Sequence, residues 1–306
     1  MKTEKMAEEK NIHLPISMLF IFCSIFLFNL SLAVSSVRIE SEHFSLPATV
    51  RQGEPFFFHL ASPQPLAGAE IEWLNRKIWT PAHRVGGQWL IFVLLGVGPE
   101  REAGTYPLSA TIATARGEMR ITRNLTVMSK TFPRQRLSLP AGMVTPGEAA
   151  LARIRREETQ IREVLRGATP LHYWWPGFIR PVMGEVSSAF GLRRVLNGES
   201  RSPHRGVDFR GASGTPVRSW SAGIVALAAE HYFGGRSLYI DHGLGIISSY
   251  LHLSEILVEP GQLVTPGQAI GRVGNTGRST APHLHFGLSV LGEWVDPLPL
   301  LDVPEP

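Results

Sequence analysis

The sequence predicts a mostly β protein, because short apolar runs and turn residues dominate the chain on both sides of one predicted helix. Between residues 37 and 128, apolar residues alternate with polar ones or form short runs, and glycines interrupt them repeatedly. This pattern is typical of a small antiparallel sandwich. β-type character returns after Pro170 and continues to the end. With 306 residues, 43% apolar and 18% charged, the chain can form two packed domains, and disordered, collagen-like and coiled-coil classes are excluded.

Charge and cysteine content narrow the classes of partner and metal site. The 30 basic and 26 acidic residues give a net charge of +4. This excess of positive charge would favour binding to an anionic polymer such as a cell wall. It is equally consistent with a mildly basic, solvated surface that binds no such partner. We find no nucleic-acid-binding motif, so no nucleic acid partner is predicted. The only cysteine is Cys23, which lies in the apolar N-terminal stretch, so a metal elsewhere must be held by His, Asp or Glu.

Residues 1–35 are predicted to be a signal peptide or an N-terminal membrane anchor. Ile16–Val34 is an almost unbroken apolar run of 19 residues, which is barely long enough to span a bilayer. Ala33-Val34-Ser35 fits a cleavage site. If the segment is cleaved, it is a signal peptide. If it is not cleaved, residues 16–34 anchor the chain and are the only predicted contact with a membrane. Both alternatives place the rest of the chain outside the cytoplasm, in the periplasm or cell envelope.

Residues 36–130 are predicted to form the β-sandwich. Strand-like runs include Phe56–Phe58 and Trp89–Val97, and alternation with period two extends from Tyr106 to Ile112. Three histidines of this region have no mutual spacing typical of metal ligands and are predicted to be structural or surface residues: His43, His59 and His83.

Residues 131–175 are predicted to be a linker with one amphipathic helix. Thr145-Pro146-Gly147-Glu148 resembles a capping box with proline at the first helical position. The helix should extend to Arg166, with one apolar stripe formed by Leu151, Ile154, Ile161 and Leu165. Such a stripe packs on a neighbouring part of the fold or, alternatively, binds a partner protein.

Two segments of the C-terminal region carry candidate metal ligands or catalytic groups. His204 and Asp208 are four residues apart on a predicted loop that enters a strand. Tyr250 and His252 should share one face of another strand. Each segment by itself occurs often by chance or in a structural role.

A third segment, with His283 and His285, completes a possible zinc site. These histidines are two apart, so both imidazoles should project from one face of a strand. Two imidazoles and a carboxylate make a three-ligand set that leaves a position for water, as catalytic zinc requires. The remaining histidines could move protons. The spacing leaves open which of His283 and His285 is the ligand.

Residues 180–300 resemble the lysostaphin-like (LytM-type) zinc metalloendopeptidases that act on peptidoglycan. The resemblance is carried, in unbroken order, by SAFGLR from Ser188, HRGVDF, GTPV, YLHL, TPGQAIGRVGNTG and STAPHLHF. It implies that residues 176–306 form a LytM-type antiparallel β-sheet or barrel-sandwich peptidase domain. The preceding β-domain is similar to the immunoglobulin-like N-terminal domain of some periplasmic members.

The resemblance also implies the site and its metal. It assigns one Zn²⁺ per chain to His204, Asp208 and His285, and makes His252 and His283 the catalytic histidines. The chain departs from the family pattern at two places: Ala281 stands where glycine is usual, and Gly287 stands where glutamate is common. Neither is a ligand position, so these departures concern substrate contacts more than metal binding.

A competing interpretation as a biotinyl or lipoyl carrier domain fails. The segment Leu263–Gly271 resembles the hairpin of such carriers, but they need a modifiable lysine, and the last lysine of this chain is Lys130.

The expected function is zinc-dependent hydrolysis of peptide cross-links or stem peptides of peptidoglycan, in cell-wall remodelling. The alternative is a non-catalytic peptidoglycan-binding scaffold that activates another cell-wall hydrolase. Relatives of that kind have lost zinc ligands, whereas all the site residues are present here. A regulatory envelope protein is a further candidate partner. The aromatic stretch Leu171–Pro176 either packs at the domain interface or covers the substrate groove, with His172 as a fourth metal ligand.

Overall fold

The computed structural model describes residues 37–39, 42–137, 146–167, 169–200 and 202–301. All of them belong to one unit of the chain, Ser31–Pro306. Their strands far outnumber their helices, which confirms the predicted mostly β class. The predicted signal or anchor segment, together with Cys23, lies outside the described residues. None of the described helices has the length and apolar character needed to cross a membrane.

The N-terminal region folds into two five-stranded sheets around a shared core. In spatial order, the first sheet contains β1 (Val37–Ile39), β2 (Glu42–Ser45), β4 (Pro55–Ser62), β8 (Gln88–Gly96) and β7 (His83–Val85). The second contains β3 (Thr49–Arg51), β10 (Gly117–Met128), β9 (Gly104–Thr114), β5 (Leu66–Trp73) and β6 (Arg76–Pro81). β3 runs parallel to β10, so the purely antiparallel expectation is wrong for this pair. The likeness to immunoglobulin domains stays a prediction.

Period-two alternation explains how the sandwich core forms. Along β4, Phe56, Phe58 and Leu60 are buried, while the residues between them are half-buried. Ile71 of the second sheet is also fully buried and packs in the same core. Burying one face of each sheet against the other removes apolar surface from water, which is the main stabilising contribution to such a fold.

The one long helix among the described residues, α1, spans Glu148–Arg166. Its N-cap is Gly147, which offers no side-chain cap, so the predicted capping box is wrong, and Thr145 lies outside the described residues. Ile154 of the predicted stripe is buried, whereas Leu151 is exposed. The helix packs on the C-terminal region, where Arg153 Nη2 donates to the Glu230 carbonyl oxygen (3.0 Å).

The C-terminal region is built on one large antiparallel sheet. Its strands, in spatial order, are β12 (Val186–Ser188), β15 (Val207–Arg210), β23 (His283–Val290), β19 (Ile246–Leu253), β18 (Gly235–Asp241), β17 (Gly223–His231) and β21 (Leu263–Val264), with β24 (Glu293–Val295) also paired to β23. A second sheet contains β16 (Pro216–Arg218), β22 (Ala269–Arg272) and β20 (Glu255–Ile256). A third contains β11 (Arg134–Leu137), β13 (Arg193–Leu196) and β14 (Glu199–Ser200). The helical turn Leu298–Leu301 follows β24.

The segment predicted as a linker packs into the C-terminal core and also contacts the sandwich. Its strand β11 pairs with β13 of the C-terminal region. Trp174 is fully buried and packs between Phe92 of the sandwich and Phe178. His172 Nδ1 lies 3.0 Å from Nε2 of His83. The aromatic stretch therefore packs at the domain interface, and its alternative role, with His172 as a metal ligand, is wrong.

A buried histidine in the C-terminal core predicts loss of stability in acid. His242 is fully buried; its Nδ1 donates to the Ala222 carbonyl oxygen, and its Nε2 accepts from Ser248 Oγ, each at 2.7 Å. Burial lowers the pKa of His242 to about 4. The folded state then binds fewer protons than the unfolded state, so this histidine should reduce the free energy of unfolding by about 2–3 kcal/mol between pH 7 and pH 4.

Thermal unfolding between pH 7 and pH 4 measures this effect, with His242→Gln as the matched variant. We expect the melting temperature of the wild type to fall more steeply with acidification than that of His242→Gln, whatever their difference at pH 7. Parallel curves would contradict the assignment.

Candidate metal centre

Three neighbouring strands position the candidate ligands. β15 pairs with β23 so that Asp208 faces His285 and Arg210 faces His283. Residues paired directly across a sheet point to the same face, and alternation along β23 places His283 on that face too. His204 lies on the loop that enters β15. The segments that are far apart in the sequence therefore meet on one face of the large sheet.

The ligand atoms of His204, Asp208 and His285 form a nearly equilateral triangle. His204 Nε2 lies 3.0 Å from Asp208 Oδ1 and 2.9 Å from His285 Nδ1. His285 Nδ1 lies 2.9 Å from the same Asp208 Oδ1. Ligands of a tetrahedral zinc ion with bonds of about 2.0–2.1 Å are about 3.3 Å apart, so the three atoms would need to move apart only slightly to hold such an ion. Within the described ranges, this is the only group of His, Cys, Asp and Glu able to hold a metal ion.

The surroundings favour ligand-competent forms of these groups. His204 Nδ1 lies 2.9 Å from the Ala189 carbonyl oxygen, which can only accept, so Nδ1 carries a proton and Nε2 is the ring nitrogen directed at the other two candidate ligands. Burial raises the pKa of Asp208, but hydrogen bonds with His204 and His285 outweigh this and hold it well below its usual range. Arg194 Nη2 lies 3.9 Å from Asp208 Oδ2. The carboxylate is therefore charged at neutral pH.

Gly206 leaves the space that the His285 ring occupies. A Cβ at this position would lie only 2.8 Å from His285 Nε2. In the sequence, Gly206 indicates a loop. Its position between the candidate ligands His204 and Asp208 is the signal that could have indicated its contact with His285.

His252 reaches the site through a β-bulge, so the prediction that Tyr250 and His252 share one face is wrong. Tyr250 is fully buried in the core. β18 and β19 pair Leu238 with Tyr250 but Arg236 with Leu253, so two residues of β19 oppose one of β18. His252 has a φ of +64°, which interrupts the alternation and turns the imidazole towards the metal face.

The histidine rings lie close together on this face. The ring centroid of His252 is 4.7 Å from that of His283 and 6.3 Å from that of His285. His252 Nδ1 lies 2.9 Å from the Thr276 carbonyl oxygen, so Nε2 is left with a lone pair. Burial, with the neighbouring His285, lowers the pKa of His252 to about 4. His252 is therefore a neutral imidazole at pH 7.

His283 is held by the loop that precedes β23. Its Nδ1 lies 2.8 Å from the Ala281 carbonyl oxygen and 3.1 Å from Ser279 Oγ. Its Nε2 lies 3.8 Å from Asp208 Oδ1, farther than the ligand atoms of the triangle are from one another. Ala281 contributes through its main chain, so the departure from glycine leaves this hydrogen bond intact.

Gly274 supports both of the histidines outside the triangle. A Cβ at Gly274 would lie 2.7 Å from the His252 carbonyl oxygen, and the Gly274 carbonyl oxygen accepts a hydrogen bond from the His283 N–H (3.2 Å). Sequence reasoning missed this role, since the residue is one of several glycines in its segment.

Gly287, the other departure from the family pattern, makes room for an aromatic residue. A Cβ there would lie 2.9 Å from Trp294 Cζ3 and 2.6 Å from Ser249 Oγ. Trp294 is paired across the sheet with Ser289, so its ring covers Gly287 on the face that carries His285.

The sequence resembles known peptidases in this region. Residues 202–297 match the family model described as Peptidase family M23. Peptidoglycan DD-endopeptidase ShyA of Vibrio cholerae is 46% identical over 112 residues, which are 36% of this chain and 26% of ShyA. DD-carboxypeptidase/endopeptidase Mpg of Neisseria meningitidis is 36% identical over 125 residues, 40% of this chain and 29% of Mpg. The matched part thus spans about a quarter of the length of these curated relatives.

A solved structure extends the likeness beyond the family match. A structure described as a peptidase M23 from Pseudomonas aeruginosa superposes with a TM-score of 0.60 at 29% identity, covering 76% of this chain and 88% of that one. The share of the chain covered is larger than the 202–297 segment, so the common architecture includes strands outside it. The family match, the fold and the His-Asp-His triangle agree: residues 202–297 of this chain form a domain of the peptidase M23 type.

Proposed function

We propose that the chain is a zinc-dependent endopeptidase that hydrolyses peptide cross-links or stem peptides of peptidoglycan during cell-wall remodelling. The observation that carries this proposal is the convergence of three ligand atoms within 3.0 Å of one another beside two further imidazoles. ShyA, described as a peptidoglycan DD-endopeptidase, supports the same substrate class, and Mpg is described as a DD-carboxypeptidase/endopeptidase. By analogy with them, the scissile bond is a D-alanyl cross-link to a diamino acid.

The residues present divide into ligands and proton carriers. His204, Asp208 and His285 would hold the zinc ion. Zinc bound there supplies Lewis acidity towards a carbonyl oxygen and allows water to act as a nucleophile at neutral pH. His252, neutral and with Nδ1 committed to the Thr276 carbonyl oxygen, accepts a proton at Nε2 from the attacking water. The proton taken up by His252 passes to the leaving amine nitrogen, and His283 would donate a hydrogen bond from Nε2 to the oxygen on which negative charge develops.

We further propose the domain arrangement and the compartment. Residues 36–130 form the sandwich domain, 131–175 connect it to the catalytic domain, and 176–306 form that domain. Residues 1–35 export the chain to the periplasm or cell envelope, as a cleaved signal or a retained anchor. A regulatory envelope protein stays a prediction. Detection of the full chain in the cytoplasm on cell fractionation would contradict the proposed compartment.

Digestion of purified sacculi tests the activity. Zinc-loaded protein should convert cross-linked muropeptide dimers to monomers, identified by mass. A chelator should stop the reaction and added Zn²⁺ should restore it. Unchanged dimers in the presence of zinc, with the protein folded, would contradict hydrolysis and favour the scaffold alternative, which is tested by adding a second cell-wall hydrolase.

A further inference from the structure

A cavity of about 460 Å³ lies between the sandwich and the candidate metal centre. On one side it is lined by Pro203 and Arg205, which flank the ligand His204, and by Trp294. Trp294 covers Gly287, which lies two residues from His285 on the same face of β23. Its volume is typical of sites that bind small ligands.

The other wall of the cavity comes from the sandwich domain. Glu100, Glu102 and Tyr106 line it, on the segment that joins β8 to β9 and on β9 itself. This segment is fastened to the C-terminal domain by Glu293, which forms an ion pair with Arg101 and accepts a hydrogen bond from the Gly98 N–H (3.0 Å). The two domains together therefore build a fixed cavity.

The basic and acidic side chains that are not paired with each other line opposite sides of the cavity. Glu293 already neutralises Arg101. Arg205 remains exposed on the metal side, and Glu100 and Glu102 are exposed on the sandwich side. Among the described residues, no salt bridge occupies any of these three side chains. A ligand that fits must offer an anionic group to Arg205 and a cationic group to the glutamates.

We propose that this cavity is a recognition site for a zwitterionic amino-acid group of the substrate, a carboxylate and an ammonium on one carbon. The proposal rests on the proposed function. A diamino acid that precedes the D-alanine of a cross-link carries such a group, one residue from the scissile amide. Arg205 binds its carboxylate, Glu100 and Glu102 bind its ammonium, and Trp294 and Tyr106 pack against its aliphatic chain. The sandwich domain thereby contributes to substrate specificity.

Two synthetic cross-linked peptide dimers test the proposal with the full zinc-loaded chain. They differ only in the residue before the donor D-alanine, which is meso-diaminopimelate in one and L-lysine, without the second carboxylate, in the other. The wild type should have the lower KM for the diaminopimelate dimer. Arg205→Gln should raise that KM about 10- to 100-fold, the size of a lost hydrogen bond to a charged group, and leave the KM of the lysine dimer nearly unchanged.

The glutamates make a complementary prediction, since both dimers carry the ammonium. The double variant Glu100→Gln/Glu102→Gln should raise the KM of both dimers with little change in kcat. Arg116→Gln and Glu118→Gln, exposed on the far hairpin of the sandwich, serve as controls that should resemble the wild type. Zinc content should be unchanged in every variant.

Equal KM values for the two dimers in the wild type, or an equal effect of Arg205→Gln on both, would overturn the proposal. If the wild type cleaves neither dimer, the proposed function fails, and the cavity is then tested by calorimetric titration with the corresponding uncross-linked tetrapeptides. Tighter binding of the diaminopimelate peptide, lost in Arg205→Gln, would support the recognition site by itself; equal binding of the two peptides would overturn it.

Discussion

Replacing His285 with alanine is expected to remove zinc from the site and reduce hydrolysis to background, whereas His283→Ala should bind zinc almost normally. The two residues share one face of β23, but only His285 has a ring nitrogen in the ligand triangle, 2.9 Å from both partner atoms. His283 Nε2 is 3.8 Å from Asp208 Oδ1. Loss of His285 leaves two protein ligands, fewer than a zinc site requires.

The zinc content of the two purified, folded variants is measured after equilibration with Zn²⁺. It distinguishes a metal ligand from a histidine that lies beside the metal. His283→Ala is the matched control, because it removes the same ring from the same strand face. The opposite pattern would exchange the roles of the two histidines. Full zinc in both variants would exclude the His283–His285 segment from the metal site and contradict the proposed enzyme.

Hydrolysis by His252→Ala should be slower by about 10²- to 10⁴-fold in kcat, the usual contribution of a general acid–base group, with zinc retained. Gly274→Ala should also lower kcat and retain zinc, although it keeps the imidazole, because the added Cβ would lie 2.7 Å from the His252 carbonyl oxygen and displace the bulge. Gly147→Ala, where a Cβ meets no atom within 4 Å, is the control substitution.

Steady-state kinetics and zinc analysis of these variants provide the measurement. If His252→Ala lost zinc, the imidazole would have to be a ligand. If Gly274→Ala had wild-type kcat, the left-handed backbone at His252 would not be what directs the ring, and the role given to the bulge would be wrong.

The convergence of the candidate ligands can be predicted from the sequence where it depends on residue type and strand register. His204, Asp208, His283 and His285 lie on a loop and two adjacent strands, and side-chain alternation is enough to bring them to one face. His252 could be named as a site residue by resemblance, but its geometry could not be derived, because regular alternation would leave it on the core face with Tyr250. The two-against-one pairing of β19 with β18 leaves no signature in the alternation of residues around His252.

Other features depend on contacts that no local pattern reports. The ion pair between Arg101 and Glu293 joins residues 192 positions apart. No local sequence pattern predicts such a contact, so the cavity beside it could not be predicted. The parallel pairing of β3 with β10 similarly joins the two ends of the sandwich. The helix start was misassigned because Thr145 satisfies the local capping rule, while the helix begins only at Glu148.

The burial of Trp174 has a consequence for where the chain can be divided. Leu94 of the sandwich, Trp174 and Phe178 belong to the same apolar core as the strands of the large sheet. A fragment cut to the 202–297 family match would expose that core to water and lose about 25 cal/mol for each Å² of apolar surface uncovered. We therefore expect the smallest autonomously folding piece to be larger than the 202–297 segment, and a destabilising substitution at Leu94 of the sandwich to lower the stability of the C-terminal region as well.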